Sequence, residues 1–134
     1  MPTAKIGDIE IYFEEEGKGE PVLLAPPSWW PSDTWKVGVV PFLSRNYRAV
    51  IFDCRGTGYS SKPDHGYTIE QFAKDCAGLL DHLKISRAHT VGFALGGQIV
   101  YEYAEVRGNV LAHVRHGGGS VVGLATGLLG RKAI

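Results

Sequence analysis

His89 to Ala104 reads H-T-V-G-F-A-L-G-G-Q-I-V-Y-E-Y-A, and a change of apolar spacing inside it decides the fold. Its first residues, with Leu83 and Ile85 just upstream, are predicted to form a buried strand. From Gly96 onward, Ile99, Val100, Tyr103 and Ala104 fall at helical spacing. The switch is compressed into Gly92-Phe93-Ala94-Leu95-Gly96. Glycines at both ends of so sharp a turn let strand and helix approach closely and push the central residue into the open. The centre here is Ala94, whose methyl group can neither attack a carbonyl nor accept a proton.

The chain upstream supplies the strands and helices that such a turn needs. Ile9 to Glu15 alternates apolar and acidic residues, the period of a half-buried antiparallel strand, and Gly17-Lys18-Gly19 turns the chain. Pro21-Val22-Leu23-Leu24-Ala25 is a short apolar run that reads as a fully buried strand, stopped by Pro26-Pro27. Ser32 or Asp33 is expected to cap a helix carrying Trp35, Val39, Val40 and Leu43, weakened in its middle by Gly38 and Pro41. Tyr47 to Phe52 is the next strand and runs into a turn-rich polar loop, Asp53 to Ser60. Thr68 with Gln71 fits a capping box, opening a helix whose Ile69, Phe72, Ala73, Cys76, Leu79, Leu80 and Leu83 share one face. Alternating strands and helices imply an α/β fold, a mostly parallel sheet covered on both faces. Asn109 to Val114 is readable as one further strand, and from Gly117 the glycines outrun any regular element.

Composition bounds the function. A chain of 134 residues, 44% hydrophobic and 21% charged, is ordinary for one globular domain, 1–134. The net charge of zero is unevenly spread: all 14 acids lie at or before Glu105, and the last 29 residues hold four basic residues and no acid. Four dispersed charges make no nucleic-acid surface. Gly117 to Gly130 is too short and too rich in glycine for a membrane span, although Gly119, Gly123 and Gly127 recur every fourth position. Cys54 and Cys76 are too few for a disulfide framework, and no apolar leader opens the chain, so cytoplasmic residence is expected. Gly56 and Gly58 make no dinucleotide fingerprint, since Ser61 replaces the third glycine and no helix opens there; no cofactor is expected. His113 and His116 have the spacing of two metal ligands, with His65 as a further candidate, but no acid lies beside the pair in the tail to support a metal, and none is expected. Ser60 and Ser61 read as turn hydroxyls. Trp29, Trp30 and Trp35 either pack locally or, with Phe93, stack on a small-molecule ligand at the mouth of a site.

With these residues in place, the chain resembles the N-terminal half of the α/β-hydrolase superfamily, in particular its small esterase, enol-lactonase and haloperoxidase-like members. An amphipathic opening hairpin is the least specific match. F-D-C-R-G-T-G-Y-S-S-K-P, Phe52 to Pro63, resembles the family's D-x-R-G-x-G-x-S loop, and V-G-F-A-L-G-G-Q, Val91 to Gln98, its G-x-S-x-G nucleophile elbow except at the centre. The resemblance covers residues 1–104 and leaves 105–134 as a divergent glycine-rich tail. It implies a three-layer αβα sandwich, cut short relative to the family fold, whose activity would be serine-type hydrolysis of a small ester or lactone. Ala94 would stand at the lost nucleophile position, with the Leu95 N–H as one oxyanion donor and Ser28 or Trp29 as the other, because Pro26 and Pro27 have no N–H to give. Asp53, Arg55, Gly56 and Gly58 would shape the wall near the elbow, with Arg55 paired to a carboxylate.

The family's acid and histidine follow the elbow from later strands, whereas no Asp occurs after Asp81 and no acid after Glu105. Turnover is therefore not expected. The alternatives are a binding pseudoenzyme and a water-positioning enzyme resembling aminoacrylate hydrolases, some of which have alanine at the elbow. The acid-free tail suggests a truncated or frame-shifted chain, and a sheet cut at this point would leave an edge open to self-association.

Overall fold

The structure, a computed structural model, describes residues 2–26, 30–93 and 95–106, with side chains as far as Tyr103. Ser28, Trp29, Ala94, the strand expected at Asn109 to Val114, and the histidines His113 and His116 lie outside the described residues.

Five strands form one sheet: β1 (Thr3–Ile6), β2 (Ile9–Glu16), β3 (Glu20–Ala25), β4 (Tyr47–Phe52) and β5 (His89–Gly92), in the order β1-β2-β4-β3-β5. β2 pairs antiparallel with both β1 and β4, while β3 pairs parallel with β4 and β5, so four of the five strands point the same way. The hairpin that opens the sheet is β1–β2, turning between Ile6 and Ile9, whereas the strands on either side of Gly17-Lys18-Gly19, β2 and β3, do not pair but are separated by β4. β3, the most apolar run, takes a central place with a neighbour on each side. Its Pro21 sits opposite Arg48 but ahead of the first β5 pair, Val22 with His89, so the missing N–H interrupts no bond to β5.

Alternation along the strands sorts the core into two layers. Leu23, Ala25, Val50 and Phe52 face α2 (Ile69–His82) and α3 (Leu95–Val106), packing with Phe72, Ala73, Cys76, Leu79, Leu80, Ile99, Val100 and Tyr103. Val22, Leu24, Ala49 and Ile51 face the other way, onto Trp35 and Val40. Both faces of the central strands are thus buried, which explains why they read as unbroken apolar runs. The three-layer αβα reading holds.

Three local expectations need correction. Leu83 and Ile85 are not strand residues, because α2 ends at His82 and β5 begins at His89. Lys84 adopts a left-handed φ of 57°, the Lys84 N–H donates to the Asp81 carbonyl at 3.0 Å, and the Ile85 N–H donates to Leu80 at 2.9 Å. This is the Schellman closure of a helix, in which the apolar residue after the turn folds back on the last turn; Ile85 is buried for that reason. The helix expected from Ser32 is two pieces, a 3-10 helix (Ser32–Val37) and α1 (Val39–Leu43), separated at Gly38. Pro31 occupies the first cap position, and no side chain caps either piece, so Ser32 and Asp33 do not act as caps. At Thr68 half of the capping box forms: its hydroxyl accepts from the Gln71 N–H at 3.1 Å, while the Gln71 side chain turns to Asp75 at 3.0 Å.

Candidate functional site

The parallel strands β3 and β5 end side by side, Ala25 opposite Gly92, and the chain turns there into α3 within two residues, 93 and 94. Glycine is required at both ends of this corner. A Cβ on Gly92 would fall within 3.0 Å of the Gly96 carbonyl, and one on Gly96 within 3.0 Å of the carbonyls of Ala25 and Pro26. The Gly96 N–H donates to Phe93 at 2.9 Å and the Phe93 N–H to Ala25 at 3.4 Å, tying the corner to the end of β3. Leu95 opens α3, where backbone N–H groups have no partner within the helix.

Beside the corner lies a cavity of about 160 Å³ lined by Trp30, Thr34, Trp35, Val39 and Phe93. Trp30 and Phe93, expected at a ligand mouth, are 54% and 45% exposed. Trp35 is a core residue that also lines this cavity. Val39, read in the sequence as a helix residue and not as part of a site, belongs to α1; its place in the cleft follows from the break at Gly38, which the sequence pattern alone does not orient.

The loop after β4 forms a second, wholly polar construction. Asp53, 1% exposed, accepts from the Ser32 N–H through Oδ1 at 2.6 Å and from the Tyr59 N–H through Oδ2 at 2.9 Å, joining the segments that follow β3 and β4. Gly58 has a φ of 55°, and a Cβ there would collide with the Asp53 carboxylate; a Cβ on Gly56 would meet the Tyr67 ring. Arg55 pairs with Asp75 of α2 through two bonds, Nε to Oδ2 at 2.7 Å and Nη2 to Oδ1 at 2.9 Å, with both side chains nearly buried at 4% and 3% exposed. That hydrogen bond holds the Arg55 pKa above its ordinary value against the opposing effect of burial. The carboxylate expected for Arg55 is therefore Asp75, a residue that sequence reasoning passed over. Its signal was an acid set on the apolar stripe between Phe72 and Leu79.

The serines bond to the backbone. Ser60 Oγ donates to the Asp53 carbonyl at 2.5 Å and accepts from the Tyr12 N–H at 2.9 Å, and Ser61 Oγ accepts from the Glu10 N–H at 2.9 Å. Cys54 is no substitute nucleophile: burial, then the charges of Asp75 and Asp53, push its thiol pKa up to about 12, so it is neutral at physiological pH. His65 sits on the surface, 3.0 Å from Asp64 and 3.7 Å from Asp8. Among the described residues no group of three or more His, Cys, Asp or Glu side chains could hold a metal.

The comparisons with known proteins agree with this layout. A non-heme haloperoxidase of Rhodococcus erythropolis is 32% identical over 124 residues, 90% of this chain and 41% of its own length. The crystal structure of a bromoperoxidase from Bacillus anthracis superposes with a TM-score of 0.74 at 38% identity, covering 81% of this chain and 40% of that one. The enol-lactonase of Burkholderia xenovorans LB400 does so with a TM-score of 0.70 at 32% identity, covering 73% and 39%. The chain thus spans about two fifths of the length of these relatives. The family described as alpha/beta hydrolase fold matches residues 27–117, from the segment after β3 through the Arg55 loop, α2 and the glycine corner, and the chain belongs to that family.

Proposed function

We propose that this chain is a hydrolase-family domain for small esters or lactones that keeps a ligand cleft at the β5–α3 corner and does not turn esters over. The observation that carries the reading is Ala94 at the centre of Gly92-Phe93-Ala94-Leu95-Gly96. An acyl-enzyme needs an oxygen or sulfur nucleophile at that centre, and a methyl group offers no lone pair to form the bond. The Leu95 N–H, at the open start of α3, supports one remaining oxyanion donor, with Ser28 as the other. Such donors stabilise a tetrahedral oxyanion only if some other group makes the attack. Purified protein is expected to release no p-nitrophenol from p-nitrophenyl acetate above the buffer rate. Steady hydrolysis that Ala94→Ser leaves unchanged would overturn the reading in favour of a water-positioning enzyme.

The outer edge of β5 is proposed as a point of self-association, since β3 is its one partner among the described residues. A monodisperse monomer in light scattering would count against it. Two free cysteines, Cys54 and Cys76, support a reducing compartment such as the cytoplasm. No described helix is long and apolar enough to cross a membrane.

A further inference from the structure

We infer that the cleft beside the corner binds a single uncharged aromatic ring carrying a hydroxyl, as in a benzylic alcohol. The inference rests on the reading of this cleft as the ligand site and adds the class of ligand it selects. Size is the first argument. The cavity is about 160 Å³, and a cavity of about 150 Å³ lined by aliphatic and aromatic side chains is enough to hold benzene. Its walls are the second. Trp30 and Phe93 leave roughly half of their surfaces open, so a flat ring has aromatic faces and edges to pack on, and covering them removes apolar surface from water.

Charge is the third argument, and it sets the selectivity. None of the described lining residues is charged. The nearest cation along the chain, Lys36, is held 2.6 Å from Glu14 and 3.7 Å from Asp33. A ring carboxylate entering the cleft would lose hydration and meet no counter-charge among the described lining residues. Besides the indole N–H groups, of which the buried Trp35 Nε1–H has no hydrogen-bond partner among the described residues, the polar group of the lining is Thr34, whose hydroxyl donates to the Pro31 carbonyl at 3.0 Å. Its proton is thereby committed, and the oxygen is left as an acceptor, which matches a ligand O–H.

Calorimetric titration of the full chain with benzyl alcohol, benzoate and cyclohexylmethanol tests this. Benzyl alcohol is expected to saturate one site and to bind about tenfold or more tighter than benzoate, because only benzoate strands a charge. Cyclohexylmethanol, which matches the size and hydroxyl but lacks the ring face, is expected to bind more weakly than benzyl alcohol. Trp30→Ala, at a half-exposed position, should weaken benzyl alcohol about fivefold. Phe93→Lys should move the preference toward benzoate. Benzoate binding as tightly as benzyl alcohol, benzyl alcohol binding that neither Trp30→Ala nor Val39→Asp alters, or no saturable heat up to its solubility limit would each overturn the inference. Steady ester turnover by the purified chain would sink the inactive-hydrolase reading and leave this one standing, whereas failed ring binding would do the reverse.

Discussion

The loop after β4 and the corner after β5 stand at the same end of the sheet and are held by opposite means. Asp53 to Ser61 is fixed by contacts made: a buried carboxylate on two backbone N–H groups, a paired guanidinium, and two hydroxyls bonded to β2. Gly92 to Gly96 is fixed by atoms left out, since two missing side chains allow helix, β5 and the end of β3 to touch. The first construction fails when a partner is removed. The second fails when an atom is added.

That contrast can be broken from either side, and the largest effect is expected at the buried ion pair. Asp75→Ala leaves Arg55 charged and buried, which should cost about 3–5 kcal/mol in urea unfolding, whereas Arg55→Met with Asp75→Leu should recover most of the loss. A single variant no worse than the double would show that the pair does not hold the loop.

Alkaline pH attacks the same region. Burial first, then a hydrogen bond with Glu14, raise Tyr12 from 10.0 to about 12, and Tyr12 packs edge-on against Tyr59 of the loop with ring centroids 5.2 Å apart. Below pH 10 the phenol is protonated in both states. Between pH 10 and about 12 only the unfolded chain ionises, so stability should fall across that window and level off beyond it. The Tyr12 contribution amounts to at most about 3 kcal/mol. Cys54, raised from 9.0 to about 12, acts in the same direction from pH 9 upward. Unfolding midpoints measured across this range should fall less steeply for Tyr12→Phe; an identical slope would remove Tyr12 from the account.

At the corner, Gly96→Ala adds one methyl against the Ala25 and Pro26 carbonyls, backbone atoms that cannot swing aside, and should cost about 1–3 kcal/mol with a matching drop in Tm. Alanine tolerated there without loss would mean the approach is looser than described. The smallest effect is expected for Ser60→Ala, about 1–2 kcal/mol, from a Tyr12 N–H left unsatisfied beneath the loop.

What the sequence made legible follows from how many residues repeat one signal. β3 and β4 carry apolar residues for both faces, α2 has a cap and a six-residue stripe, and the corner has two glycines in five positions; all were readable. β1 was not, because Thr3–Ile6 has only Ala4 and Ile6 as apolar residues and exists as a strand through its pairing with β2. The break at Gly38 was readable as a weakness but not as a change of direction, since Trp35 and Val40 reach the same core layer from two separate helices. Asp75 stood out locally as an acid on the apolar stripe of α2, but its pairing did not: it lies 20 positions from Arg55, and only the fold brings the two together. The cleft was half legible, with Trp30 and Phe93 named as aromatic and Val39 supplied by packing.

Beyond Phe52, β2 has no strand beside it on the β4 side among the described residues, and its amides at Glu10 and Tyr12 are met by the hydroxyls of Ser61 and Ser60, 51 and 48 positions away. A strand neighbour protects amides from exchange with deuterated solvent as a row; a hydroxyl protects one at a time. Each serine therefore acts as a separate latch, and replacing either should open a single amide of β2 to exchange while leaving the adjacent one shut.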